Sequence, residues 1–317
     1  MEMAPFKLLA IDVSSHTLLL VDGPTGEVLS EMAYNIEFTP ISLVITADFS
    51  KAYMPAVSSD GKGALFAVNL NSKSLYRLPI ELPHPMQFAL APDSKTAYFA
   101  APNGFIYALD TATLTLVTIG QSDADNFTCV GLVADNEKIY SAWESDTGGV
   151  VAVFDHSGKL IDELLIKGIP TNIVADKKGI VAVPFTSVGE SGEGIVVFGG
   201  LRSGLPASLT IQCPACTKGH RAYPCYAAVA PDQRSVYIVN EDSSSVTVAD
   251  LVNAVAVDCF SVGRSISALH ILPDSRFALA SSNMFGNLAL IDLVNGRLLS
   301  FTESQREILS CIIILPE

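Results

Sequence analysis

The segment IQCPACTKGHRAYPC, residues 211–225, gathers reactive side chains more densely than any other stretch of the chain. Cys213, Cys216, His220 and Cys225 follow the spacing C-x2-C-x3-H-x4-C. Thiolates and an imidazole held on one loop can enclose a tetrahedral cation, so these four form a candidate zinc site. Two other readings stay open. Cys213 or Cys216 could form a disulfide, or the cysteines could be ordinary reduced thiols, with Cys225 serving as a small buried side chain at the start of a strand. Haem attachment is excluded because Thr217 stands where the CxxC signature needs His. A thioredoxin-like redox role lacks the required βαβ context.

A second unusual stretch is TSVGESGEG, residues 186–194. Its glycines suggest a phosphate cradle, but no Lys follows them and Glu190 and Glu193 would repel phosphate, so it reads as an acidic loop. The AsnPheThr sequon at Asn126 enters a strand and is given no role. No nucleophile–base pair can be read from spacing, and the remaining ionisable residues become a site only if the fold brings them together.

The fold is written in repeats. An apolar run closed by an acid recurs seven times, ending at Asp48, Asp93, Asp135, Asp176, Asp232, Asp274 and Glu317. Five of the six intervals are 41 to 45 residues and one is 56, the excess falling in the two unusual stretches. This period fits a propeller blade of four short strands, and no amphipathic helical pattern competes with it. A second marker, a third strand ending in a turn residue, also occurs seven times: Asp22, Asn69, Asp110, Asp155, Gly199, Asp250 and Asp292. The two series are out of step. Asp22 precedes every inner-strand phrase, and the phrase CIIILPE has no strands after it. The expected architecture is therefore an all-β, seven-bladed propeller spanning 1–317 as one domain. One blade is composite, with 6–32 supplying three strands and 309–315 the innermost, which leaves no open sheet edge in the ring.

The stretch PDQRSVYIVNEDSSSVTVADLVNAVAV, residues 231–257, resembles the YVTN-type propeller repeat, with YIVN at Tyr237–Asn240. The second strands YMPAV, YFAAP and YSAWE depart from that motif. The layout is also similar to the propeller subunit of quinohemoprotein amine dehydrogenases. Both resemblances imply the fold; neither implies a particular activity. WD-repeat dipeptides are absent.

In such a fold the connections entering inner strands and those joining second to third strands share one face. His84, Arg221 and Arg264 belong to the first set, Trp143 and Glu241 to the second, and these five are the candidate ligand-binding residues. Glu37, Asp60, Asp125, Glu144, Asp146, Glu190, Asn283 and Arg306 occupy the same face. Trp143 has two readings, a blade-packing aromatic or a stacking surface.

With 33 acidic and 19 basic residues, the net charge of −14 disfavours nucleic acid and anionic lipid as partners. No apolar run approaches a bilayer span. The N-terminal residues lack a basic region and a long apolar stretch, so the expected location is cytoplasmic, with a periplasmic or secreted protein lacking its signal as the alternative. Inner strands nearly free of ionisable groups, only His270 interrupting, point to a non-catalytic binding module or complex subunit meeting a protein or small ligand. The alternatives are a lactonase- or lyase-like propeller enzyme and a metal or redox role centred on Cys213–Cys225. No cofactor is required by the leading reading; Zn belongs to the alternative.

Overall fold

The computed structural model describes residues 5–102, 104–122, 127–176, 178–187, 192–199, 208–216, 218–282, 288–302, 308 and 312–316. Seven antiparallel sheets form the blades of a propeller. In blade 1, strands Phe6–Asp12, Thr17–Asp22 and Val28–Ala33 follow an innermost strand Ile313–Pro316 from the other end of the chain. The pairing is antiparallel, Phe6 opposite Pro316 and Leu9 opposite Ile313. Blade 6 shows the ordinary order, Pro224–Val229, Ser235–Asn240, Ser245–Asp250 and Val255–Ser261 from axis to rim.

Apolar runs rather than clean alternation mark the inner three strands because both faces of each blade are covered. Along the second strand of blade 4, Lys138–Ser145, the side chains part by turns. Ile139 and Trp143 pack toward blade 3, whereas Tyr140 and Ala142 pack toward blade 5. Among the described residues the core divides into clusters, one at each junction of neighbouring blades. The last joins Phe6, Leu8 and Leu19 of blade 1 to Leu272, Phe277 and Leu279 of blade 7. The outermost strands face solvent and alternate, as in Val255–Ser261, where Val255 and Val257 are exposed.

Carboxylates shape the turns. Among the described residues, the acids that end inner strands accept backbone N–H groups two to four residues on: Asp135 from Glu137 and Lys138, Asp176 from Lys178 and Ile180, Asp232 from Arg234 and Ser235. The acids ending third strands do the same, Asp110 binding Ala112 and Thr113, and Asp292 binding Val294 and Asn295. The short acidic side chain mimics a turn of backbone, which is why both markers recur with the blades. These turns define one face of the ring, the turn face; the longer connections define the opposite loop face.

Blades 2 and 5 depart from a continuous inner strand. Theirs are split, Phe38–Pro40 with Val44–Ile45 and Ile169–Pro170 with Val174–Ala175. Proline is the cause. Pro55 and Pro184 in the facing second strands have no N–H to give, and three inner residues bulge opposite two. The ladder resumes through single bonds, Ile41 N–H to Pro55 O at 2.9 Å and Thr171 N–H to Pro184 O at 3.0 Å.

Closure is testable at Leu315, 6% exposed in the core between blades 1 and 2. Leu315→Asp should cost about 3 kcal/mol or more in urea unfolding and give aggregating material, whereas Leu315→Ile should cost less than about 1.5 kcal/mol. An Asp variant that is monodisperse with an unchanged midpoint would show that this strand does not shut the ring.

Candidate functional site

The cysteine-rich segment joins blade 5 to blade 6 over the loop face, and the structure does not bring its four candidate ligands together. Cys216 is bridged to Cys259 on the outer strand of blade 6, with Cα atoms 5.8 Å apart. Cys259, which its apolar run marks as a buried thiol, is thus a disulfide partner; the sequence carried no signal for that pairing across 43 residues. Cys213 is buried among Ile195, Ile211 and Ala222, where burial, aided by Glu193, pushes its thiol up to about 12, against the thiolate a metal needs. Cys225 donates to the carbonyls of Val239 and Ser267, each at 3.6 Å. His220 points instead to Asp242, Nδ1 to Oδ1 at 3.8 Å. Among the described residues no three His, Cys, Asp or Glu side chains are arranged to hold a metal ion. Cys129 is a buried free thiol, and Cys311 lies outside the described residues.

Arg221 is the centre of a latch. Its guanidinium pairs with Glu193 and donates to the hydroxyls of Thr186 and Ser187 at 2.9 Å. Its own N–H binds Asp242, and the next accessible N–H, that of Tyr223, binds Glu193 Oε2 at 3.0 Å. Burial is the largest single influence on Glu193 and would raise its pKa. The bonds from Tyr223 N–H, Arg221 and Thr186 together outweigh it and hold the carboxyl below the ordinary value. Arg221 is therefore committed to fixing the segment it belongs to.

The other candidates of this face go to separate partners. His84, with φ of 33°, lies close over Gly61, where an added Cβ would come within 2.8 Å of Nδ1. Arg264 stacks its guanidinium 5.1 Å from the Phe301 ring. Glu241 accepts from the Ser267 hydroxyl at 3.5 Å. Trp143 is fully buried between blades 3 and 4, its Nε1–H donating to Ser141 Oγ at 2.8 Å, so the blade-packing reading holds and the stacking-surface reading is corrected. Asp60 pairs with Lys62 at 2.7 Å. Glu144 and Asp146 line a cleft of about 480 Å³ with Phe127 and Ile169, and burial, then Asp146, raises the Glu144 carboxyl. Asp125, Asn126, Glu190, Asn283 and Arg306 lie outside the described residues.

A larger cavity, about 740 Å³, opens at the other end of the axis, on the turn face. It is walled by the ends of inner strands from five blades, among them Ile314, Ile45, Leu90, Val133 and Ala175. Its rim carries Phe49, Asp135, Asn136 and Asp176. Sequence reasoning placed the mouth on the loop face and missed this one. A partial signal was present: an apolar residue stands three before each turn acid, and four of these seven, Ile45, Leu90, Leu132 and Ile314, line the cavity. A volume in this range with apolar walls suits a small organic ligand.

The rim is stiff. Ala47 N–H binds Ser94 Oγ across blades 2 and 3 at 2.9 Å, and Gln233 Nε2 binds Asp176 Oδ2 across blades 5 and 6 at 3.0 Å. Tyr140 donates to Asp135 Oδ2 at 3.0 Å.

With this geometry in place, solved structures can be compared. The chain is similar to a protein of unknown function from Desulfotomaculum acetoxidans, with 15% identity, 98% of each chain covered and a TM-score of 0.73. It is similar to a chain of Kuenenia stuttgartiensis hydrazine synthase at 19% identity, covering 87% of this chain and 89% of that one, TM-score 0.68. It is also similar to apo AztD from Citrobacter koseri at 12% identity, covering 99% and 98%, TM-score 0.65. These likenesses establish a shared fold. No family model matches the chain, and no curated relative matches it.

The bridge between Cys216 and Cys259 closes a loop of 43 residues, for which chain entropy sets a stabilisation of about 4 kcal/mol. Cys259→Ser should lower the guanidinium unfolding midpoint accordingly, and dithiothreitol should lower the wild type to meet it. Superimposable curves for variant and oxidised wild type would remove the bridge from the structure.

Proposed function

We propose that this propeller is a non-catalytic binding module, or a subunit of a larger complex, and that the axial cavity of the turn face is where it takes up an apolar group. The observation that carries the reading is the contrast between the two ends of the axis. On the loop face Arg221 and Glu193 are consumed by a structural latch, and His84 and Arg264 pack on their own neighbours. A catalytic site needs an acid, a base and a reacting atom within hydrogen-bond reach. Among the described residues, the other ionisable side chain lining the cleft of Glu144 is a second carboxylate, Asp146, alongside the hydroxyl residues Thr128, Ser145 and Thr147. The turn face offers instead a preformed apolar well. Kinship with the YVTN-type repeat family belongs to the same proposal and is supported by the Tyr237–Asn240 strand, whose Asn240 is buried and donates to Thr247 Oγ1 at 2.8 Å.

The uncharged fluorescent probe N-phenyl-1-naphthylamine should bind saturably to the native protein. Ala134→Leu with Ala175→Leu, both side chains lining the well, should weaken that binding about tenfold or more without lowering the unfolding midpoint by more than about 1 kcal/mol. Unchanged binding in this folded variant would locate the apolar site elsewhere.

The disulfide supports an oxidising compartment over the cytoplasm, since bridges of this kind persist where thiols are not kept reduced. Thiol alkylation in intact cells of the source should leave Cys216 and Cys259 unmodified. Their full modification there would place the protein in a reducing compartment.

A further inference from the structure

The wall of the axial cavity is aliphatic, yet its rim is charged. Asp135 and Asp176, on adjacent blades, are the ionisable side chains lining it among the described residues. Each accepts three hydrogen bonds: Asp135 from Glu137 N–H, Lys138 N–H and the Tyr140 hydroxyl, Asp176 from Lys178 N–H, Ile180 N–H and the Gln233 amide. A carboxylate offers about four acceptor positions, so both are fixed in place with capacity left over. Neither Lys138 nor Lys178 lines the cavity; both line a neighbouring cleft of about 300 Å³, which shares Asp135 and Asn136 with the cavity rim.

Phe49 adds a second kind of group. It lines the rim, is 36% exposed, and has a φ of 55°. The left-handed backbone costs a non-glycine residue about 1–2 kcal/mol. In three of the equivalent turns the residue after the acid is Ser94, Gln233 or Ser275, each with the same backbone hand and a small or polar side chain. A bulky aromatic kept in that conformation, half in solvent, gains nothing for the turn. Strain of this sort collects where a surface is used.

We propose that the cavity binds a small organic cation with an apolar body, an alkyl ammonium or alkyl guanidinium compound. The proposal rests on the cavity being the binding site and goes further by naming the ligand class. The hydrocarbon fills the well formed by Ile45, Leu90, Val133, Ala175 and Ile314. The cationic head stays at the rim, where Phe49 presents a ring to it and Asp135 and Asp176 accept charge-assisted hydrogen bonds. The net charge of −14 concentrates such cations around the protein and depletes anionic amphiphiles of equal chain length.

Three probes with one chain length separate the contributions: n-octylammonium, n-octanol and n-octanoate, titrated calorimetrically into the full chain at neutral pH below micelle-forming concentrations. Octylammonium should bind about tenfold more tightly than octanol, a difference of about 1.4 kcal/mol, with octanoate weakest. Asp135→Asn with Asp176→Asn should level octylammonium with octanol, and Asn retains the turn because its side chain accepts the same backbone N–H groups. Phe49→Ala should weaken octylammonium more than octanol. Equal binding of octylammonium and octanol to the wild type, or tighter octanoate, overturns the cation assignment and leaves the apolar site standing. So does an absence of probe binding in protein that still binds N-phenyl-1-naphthylamine. If that dye also fails to bind, the fault lies with the cavity reading itself.

Discussion

Four residues at one end of the chain, Ile313–Pro316, pair with Phe6–Leu9 at the other, and the rest of the ring depends on that ladder. A propeller blade is apolar on both faces, so it is stable only between two neighbours. Six junctions between seven blades would leave two faces bare, with about half a cluster of aliphatic surface exposed at each. The pairing supplies the seventh junction, where Phe6, Leu8 and Leu19 meet Leu272, Phe277 and Leu279. Because blade 1 is built from both ends of the chain, opening any one junction strains all the others, and the inner strands are held at fixed distances around the axis. The axial cavity takes its shape from that constraint: five blades contribute its wall, Ile313 and Ile314 of the closing strand among them.

The same side chains that fold the turns decide the electrostatics of the turn face. An Asp after the inner strand of blades 2 to 7 is required by the turn it caps, whatever the protein binds. Where such an acid stands at the rim, as Asp135 and Asp176 do, a folding device becomes a fixed negative charge beside an apolar well. Hydrogen bonds from neighbouring residues hold both carboxylates rigid, so a ligand would meet them without any ordering cost to the protein. The proposed binding on this face would need no residue beyond those the repeat supplies, except Phe49.

The architecture was legible in the sequence because repetition and turn chemistry are local. The acid series ending at Asp48 and the third-strand series beginning at Asp22 gave the blade count, and the offset between them gave the closure. The split inner strands of blades 2 and 5 were not foreseen, although Pro55 and Pro184 stand in the middle of the second strands that cause them. The functional candidates were harder to read, because a side chain's fate depends on neighbours from other blades. Trp143 at the end of YSAW left two readings open, blade packing or a stacking surface, and only the apolar faces of blades 3 and 4 closing over it decide between them. The CxxC spacing left Cys213 and Cys216 open as metal ligands, as disulfide partners or as free thiols. Cys213, directly after the strand Ser208–Gln212, continues its buried alternation into the core, whereas Cys216 lies beyond the strand and is bridged to Cys259 on the outer strand of the next blade. Nothing in local spacing encodes a partner 43 residues away.

The two faces thus divide their work in a way the charge distribution alone would not suggest. On the loop face, the longest connection of the ring is tied down twice, by a covalent bridge to blade 6 and by the Arg221–Glu193 pair to blade 5. Ionic groups there face one another, and their desolvation is offset by the bonds they make. On the turn face the connections are short, the carboxylates are held in place by backbone N–H groups, and the apolar ends of inner strands are left uncovered around the axis. Uncovered aliphatic surface inside a rigid concave ring cannot collapse to bury itself. A flexible protein would relieve that exposure by repacking. A closed ring of seven mutually braced sheets cannot, so the exposure persists until something of matching shape and polarity enters.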